Sequence, residues 1–382
     1  MQRRDNGMGT IYQRENGTWV GRIKEKGRDG KTKYKCFSGK SQAEVKRKIR
    51  EYNQQSDAVD PTEVSFMTYM TDWLLNAKKG KIKDSSYDRL ENTAKHQVIP
   101  MIGDMHLSEI VTEDINSMLK SLKDNGLSYS SVKKAYDCTK AMFEYAIKKR
   151  DITINPMSLV EIPHESEFEK KEIRFFTKDE ASRIVEECSR LYSTGTPVYP
   201  YGDAFILILN TGLRMGELLG LQKSDIDLTE RVINIRRNAQ VVKNRNSDGS
   251  RSTGRRVVLS TTKTYSGRRC ISLNKSAYEA IQRLCKAHPE SEYVVCGIKG
   301  NQVTHERFER SFYRILQNCN IEQTGVHSLR HTFASMLFAN GTDIKTISTL
   351  LGHASVKITM DTYVHLIQDT GKQAVNQLDE IL

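Results

Sequence analysis

The chain has no C-x-x-C pair: its seven cysteines, from Cys36 to Cys319, are odd in number and scattered through 382 residues. That pattern reads as reduced thiols in a cytosolic protein, not as a disulfide framework. No apolar segment backs the charged amino terminus Met1-Gln2-Arg3-Arg4, so no secretion signal is expected. The apolar run Ala204 to Leu209 is far shorter than the roughly 20 residues a membrane-spanning helix needs, and no membrane partner is expected. With no internal repeat and no sustained low-complexity tract, this length implies two or three distinct folding units.

Positive charge, by contrast, is abundant and uneven. The formal net charge is +12, and residues 1 to 55 hold 15 Lys or Arg against 6 Asp or Glu. Most of the excess therefore sits in the first seventh of the chain, which points to a polyanionic partner, nucleic acid being the commonest. A solvated charged surface or attraction to anionic lipid is the alternative.

Those first residues read as three short strands, Thr10 to Arg14, Thr18 to Lys24 and Lys33 to Phe37. Asn16-Gly17 and Asp29-Gly30 are hairpin signals between them. Ser41 to Glu44 fits a capping box that opens a basic helix. After Asp60-Pro61 the apolar period becomes helical, with Phe66, Met70, Trp73, Leu74 and Ala77 on one stripe. Further helices are expected at about 84 to 98, 112 to 124 and 129 to 150, capped by Asp84, Thr112 and Ser128. Beyond a charged linker at Pro163 to Glu172, Thr177 to Glu180 is a second capping box. From there helices alternate with a few strands, and 243 to 255 reads as a long hairpin tip or loop. The fold class is thus multidomain α+β, with a small three-stranded β-sheet plus helix, an all-helical domain, and a mainly helical domain with a small antiparallel sheet. The boundaries expected are 1–56, 63–163 and 170–382.

Four motifs in the last unit carry possible chemistry. Thr211-Gly212-Leu213-Arg214-Met215-Gly216-Glu217-Leu218 sets an arginine at a helix start after a glycine that ends the helix before it, a place suited to holding an anion. Thr262 to Arg269, with Lys263, lies at a turn between strands. His327-Ser328-Leu329-Arg330-His331 opens a helix with His327 and Arg330 on one side. Leu350-Leu351-Gly352-His353 precedes Tyr363 by about one short helix. Each alone has an ordinary structural reading: an exposed turn, a packed histidine, a hydrogen-bonded tyrosine. His327 and His331 also have the spacing of a metal pair, but no carboxylate completes the set and Arg330 between them opposes a cation.

Taken together, two arginines, two histidines, a lysine and a tyrosine suit phosphoryl transfer without a metal. A phosphodiester under in-line attack develops charge on its non-bridging oxygens, and Arg214 and Arg330 can do there what metal ions do elsewhere. Tyr363 is the candidate nucleophile and needs a base or a strongly positive site to attack at neutral pH. His327 and His353 are candidates for proton handling, and Lys263 for protonating the departing 5′-oxygen.

In these motifs and their order the chain resembles the tyrosine recombinase, or phage integrase, family, and most of all the integrases of conjugative transposons. The resemblance implies that Arg214, Lys263, His327, Arg330 and His353 activate the phosphate, that Tyr363 forms a 3′-phosphotyrosine, and that Glu217 supports Arg214. No cofactor, metal or ATP is implied. Residues 63 to 163 look like a core-binding domain, and the basic amino terminus like an arm-binding domain that docks its sheet in the major groove. Arg22, Lys24, Lys33 and Lys35 are its candidate DNA contacts. The partners implied are double-stranded DNA at element ends and target, a homotetramer on that DNA, an excisionase and a host DNA-bending protein, with the protein nucleoid-associated when active. Val375, Leu378, Ile381 and Leu382 could edge a helix traded between neighbours or folded back on its own domain. A type IB topoisomerase shares this chemistry, and a DNA-binding regulator that keeps the set as a relic is the non-enzymatic rival.

Overall fold

Trp19, Gly21 and Ile23 alternate with Val20 and Arg22, so one face of that strand is fitted to packing. The structure is a computed structural model that describes residues 10–26, 32–56, 64–169, 173–246, 251–261, 268–297 and 299–363. In it β1 (Thr10–Gln13), β2 (Trp19–Lys26) and β3 (Thr32–Gly39) form an antiparallel sheet with β2 central, and α1 (Gln42–Ser56) follows. Ser41 Oγ accepts from the Glu44 N–H, while the Glu44 carboxylate accepts from Lys40 N–H, one residue upstream of the bond an ideal capping box makes. Val45 and Ile49 of α1 are fully buried and press on the sheet at Gly21. A Cβ there would stand 2.5 Å from Ile49 Cδ1 and 2.6 Å from Val45 Cγ1, so this close approach requires glycine.

The helical stretch contains α2 (Phe66–Asp72), α3 (Asp84–Thr93), α4 (Ile99–Ile102), α5 (Thr112–Asp124) and α6 (Tyr129–Lys149). Phe66, Met70, Trp73 and Leu74 are buried, as are Val132, Ala135, Met142, Phe143 and Ala146 of α6, and the Phe66 and Phe143 rings lie 5.7 Å apart. Thr112 does not cap α5. Val111 holds the cap position with its N–H on Asp114, and the Thr112 hydroxyl donates to the Pro156 carbonyl instead. By contact density the chain divides into residues 1–82 with 89–169, and 83–88 with 170–382.

The second unit contains α7 (Lys178–Cys188), α8 (Gly202–Thr211), α9 (Met215–Leu219), β4 (Ile226–Asp227), β5 (Val232–Ile235), β6 (Arg237–Arg245), β7 (Arg251–Thr261) and β8 (Arg269–Ser272). Next come α10 (Lys275–Ala287), α11 (His305–Asn318), α12 (His327–Ala339), α13 (Ile344–Leu351) and α14, residues 356–363. Strands β4, β5 and β8 make one antiparallel sheet and β6 with β7 a separate hairpin. The apolar run Ala204 to Leu209 is the middle of α8, buried all round and packed against α7, α10 and α12. Among the described residues no helix is long and apolar enough to cross a membrane.

The loop expected at 243 to 255 is shorter than its composition suggested. β6 and β7 continue through most of it, pairing Lys243 with Arg255 and, past a bulge, Arg245 with Arg251. Many positions of this hairpin are exposed or half-exposed, so the segment lacks the apolar alternation by which a strand is recognised.

Candidate active site

The site begins at the corner between α8 and α9. Gly212 ends α8 in left-handed backbone, φ 64°, and Arg214 takes the N-cap position of α9. A Cβ at Gly212 would lie 2.5 Å from Phe333 Cδ1, so the corner rests directly on α12. Gly216 plays the same part toward the hairpin, where a Cβ would lie 2.7 Å from the Ala239 carbonyl oxygen.

Arg330 projects from α12 beneath that corner and is 2% exposed. Its Nη1 donates to the Gly212 carbonyl at 2.7 Å, and its Nη2 to the Leu351 carbonyl at 2.8 Å and to His353 Nε2 at 2.9 Å. Burial and the like charge of Arg214 pull this guanidinium down to about 9, which leaves it charged at neutral pH. His353 Nε2 is then an acceptor, so the ring proton sits on Nδ1, 2.8 Å from Thr359 Oγ1.

Arg214 donates from Nη1 to Glu217 Oε1 at 2.7 Å and from Nη2 to the Gly352 carbonyl at 3.0 Å. Glu217 is shared. Arg269 of β8 grips both its oxygens, Nη1 to Oε1 at 3.0 Å and Nη2 to Oε2 at 2.9 Å, and sends Nε to the Leu350 carbonyl at 2.7 Å. Burial by itself would raise the Glu217 carboxyl, but the bonds and charge of Arg269 with the charge of Arg214 outweigh it and hold it down to about 2. Of the five N–H donors on each guanidinium, these bonds engage two on Arg214 and three on Arg330. The rest have no partner among the described residues and can grip an anion.

Tyr363 stands on α14 with its ring in a small apolar cluster of Ala334, Ile347 and Leu351. Its hydroxyl lies 2.9 Å from His331 Nδ1. Burial lifts the phenol to about 12 even though the Arg330 charge works against it. His327 packs edge-on to His331, ring centroids 5.1 Å apart. Burial comes first in holding His327, His331 and His353 down to about 4, and nearby positive charge, Arg330 in each case, adds to it, so all three are neutral near pH 7. Three guanidinium groups thus face one carboxylate among neutral rings. The site carries surplus positive charge in a partly dry setting, which favours an anion whose charge grows during reaction.

Of the residues expected from sequence, Arg214, Glu217, His327, Arg330, His353 and Tyr363 converge. Lys263 lies outside the described residues, as do Val375, Leu378, Ile381 and Leu382. Arg269 and His331 belong to the site although their sequence context assigned them no part in it; both stood inside the motifs, and that was the only signal. Beside Arg269 a cleft of about 480 Å³ is lined by Arg236, Arg237 and Arg268. Among the described residues no three His, Cys, Asp or Glu side chains cluster as metal ligands. In the amino-terminal sheet the Arg22 guanidinium lies 3.9 Å from the centre of the Tyr34 ring. The register sets Lys35 opposite Ile23 on the face that carries α1, and pairs Lys24 with Tyr34 and Lys33 with Glu25. The Lys24 and Lys33 side chains lie outside the described residues.

The pattern of the phage integrase family matches residues 174–369, and that of the phage integrase central domain residues 66–161. The chain belongs to the phage integrase family. Among its relatives are a tyrosine recombinase XerC-like protein of Caldanaerobacter subterraneus, 26% identical over 93% of this chain and 94% of that protein, and the ICEBs1 integrase of Bacillus subtilis, 25% identical over 90% of each. The Tn1549 transposon integrase, solved in complex with transposon right end DNA, shares the fold with a TM-score of 0.64 at 22% identity, over 83% of this chain and 100% of that one. A lambda integrase dimer bound to a core site has a TM-score of 0.57 at 18% identity, over 94% and 96%. The integrase fold, with its three-stranded sheet, helical middle and mainly helical last unit, is the one expected from sequence.

Proposed function

We propose that this integrase is a site-specific DNA recombinase that integrates and excises a mobile element by cutting and rejoining strands at Tyr363. The observation that supports this most is that Arg214 and Arg330 meet at the adjoining carbonyls of Gly352 and Leu351 beside His353, and that Arg330 shares its helix with His331, the partner of the Tyr363 hydroxyl.

In this reading the scissile phosphate takes up the unengaged donors of Arg214 and Arg330, and their charge offsets the charge that builds on its oxygens. Tyr363 Oη attacks phosphorus, the bond to the 5′-oxygen breaks, and Lys263 protonates that oxygen. The phosphotyrosine conserves the bond energy, so a 5′-hydroxyl from a partner strand can reverse the step without ATP. Double-stranded DNA is the substrate and a homotetramer the working assembly. An excisionase, a host DNA-bending protein and residence on the nucleoid belong to the same proposal. Arg22, Lys24, Lys33 and Lys35 are proposed contacts of the amino-terminal unit, with Arg22 on the exposed face beside Tyr34.

Tyr363→Phe tests the reading. It should abolish the gel-stable covalent adduct with a nicked duplex bearing the element end while leaving binding to that duplex intact. An adduct that survives the change would reassign the nucleophile. Relaxation of plasmids lacking an element end, without joining of two attachment sites, would favour a topoisomerase.

A further inference from the structure

We infer that His331, rather than His327 or His353, is the group that accepts the proton of Tyr363 as it attacks; the inference rests on the recombinase reading. The geometry makes the assignment. His331 Nδ1 is 2.9 Å from the phenol oxygen, within reach for direct proton transfer. His353 is committed elsewhere, with Nε2 on Arg330 and Nδ1 on Thr359. His327 meets the ring of His331 edge-on. The apolar packing around Tyr363 fixes its ring, so the hydroxyl has a defined direction, toward α12.

The proton balance is consistent. In the resting site the phenol holds its proton more tightly than the imidazole does, so no ion pair forms. As the bond from Tyr363 Oη to phosphorus forms, the oxygen loses electron density and its proton becomes far more acidic than an imidazolium. Transfer to Nδ1 therefore turns favourable during bond formation, the condition under which general-base catalysis is effective. The Oη–P bond forms, the bond from phosphorus to the 5′-oxygen breaks, the phenolic proton passes to His331, and the 5′-oxygen is protonated by a second acid, Lys263 in the reading above. The charged and titratable groups facing His331 are His327 and Arg330 on α12, His353 after α13 and Tyr363 on α14. A bound phosphate offsets the Arg330 charge that disfavours an imidazolium there.

The test is single-turnover cleavage of a nicked duplex bearing the end of the element that encodes this chain, followed as covalent adduct against pH. His331→Asn keeps an oxygen close to the position of Nδ1 but has no basicity. It should cleave about 100-fold more slowly with unchanged duplex binding, and its rate should climb about tenfold per pH unit between about pH 6 and pH 9, where the unaltered chain is flat. His331→Phe, which retains the ring volume, should show the same slope. An unaltered rate and flat profile in His331→Asn, or faster cleavage on loss of the hydrogen bond, overturns the inference while the recombinase reading stands. Failure of the unaltered chain to form any adduct overturns both.

Discussion

At the scale of single residues, the site turns on one carboxylate. Glu217 is 4% exposed and is held by Arg214 and Arg269 from two different elements, with Arg269 itself nearly buried. Glu217→Gln leaves two guanidinium groups facing each other with no counter-charge, and the loss of one partner from a buried pair costs on the order of 3–5 kcal/mol. The expected outcome is a lower unfolding midpoint of the second unit in denaturant together with weaker cleavage, because Arg214 loses the group that orients it. Unchanged stability would show that Arg269 is neutralised from elsewhere. His331 illustrates the limit of reading residues one at a time: its spacing from His327 suggests a metal pair, yet its partner is a phenol 32 positions away. Arg269 stood at the end of a legible motif, but its role depends on a carboxylate 52 positions upstream.

Among elements, the amino-terminal sheet and α1 were predictable from turn chemistry and alternation, and their contact depends on one glycine. Gly21→Val would drive a branched side chain into Ile49 and Val45, and overpacking of this kind costs about 1–3 kcal/mol. Binding to sites distal to the crossover should weaken while cleavage of a core duplex is spared; equal distal binding would remove the arm-binding role from this unit. The hairpin of β6 and β7 was expected, with 243 to 255 as its tip or loop, but the reach of its strands into that segment was not, because the residues there do not alternate cleanly between apolar and polar. The end of helix α8 was legible at Gly212, but its body read only as an apolar run, since a helix buried on every side has no stripe to reveal its period.

For the whole molecule, acid stability follows from the same site. In the unfolded chain an imidazole takes up its proton near 6.5, whereas His327, His331 and His353 in the folded site wait until about 4. Between those values the unfolded state binds protons that the native state refuses, so stability falls as pH drops from 6.5 to 4 and these groups cost nothing further below that. Glu217 extends the loss. Its folded value of about 2 against 4.5 means that the stabilisation it contributes is present above 4.5 and disappears on the way down to 2. The thermal unfolding midpoint of the second unit should therefore fall steadily below about pH 6.5, and a midpoint constant down to about pH 4 would show that the histidines are already charged in the native state.

The amino-acid sequence by itself determined the order of the units, the fold class and a set of side chain types suited to a phosphate, because caps, apolar periods and motif spacings are local properties of the chain. Tertiary structure alone decided that Glu217 is shared between two arginines and that His331 stands at the phenol. Hydrogen-bond partners are chosen by which surfaces pack, and here the α8–α9 corner, β8, α12 and α14 come from stretches far apart in the chain.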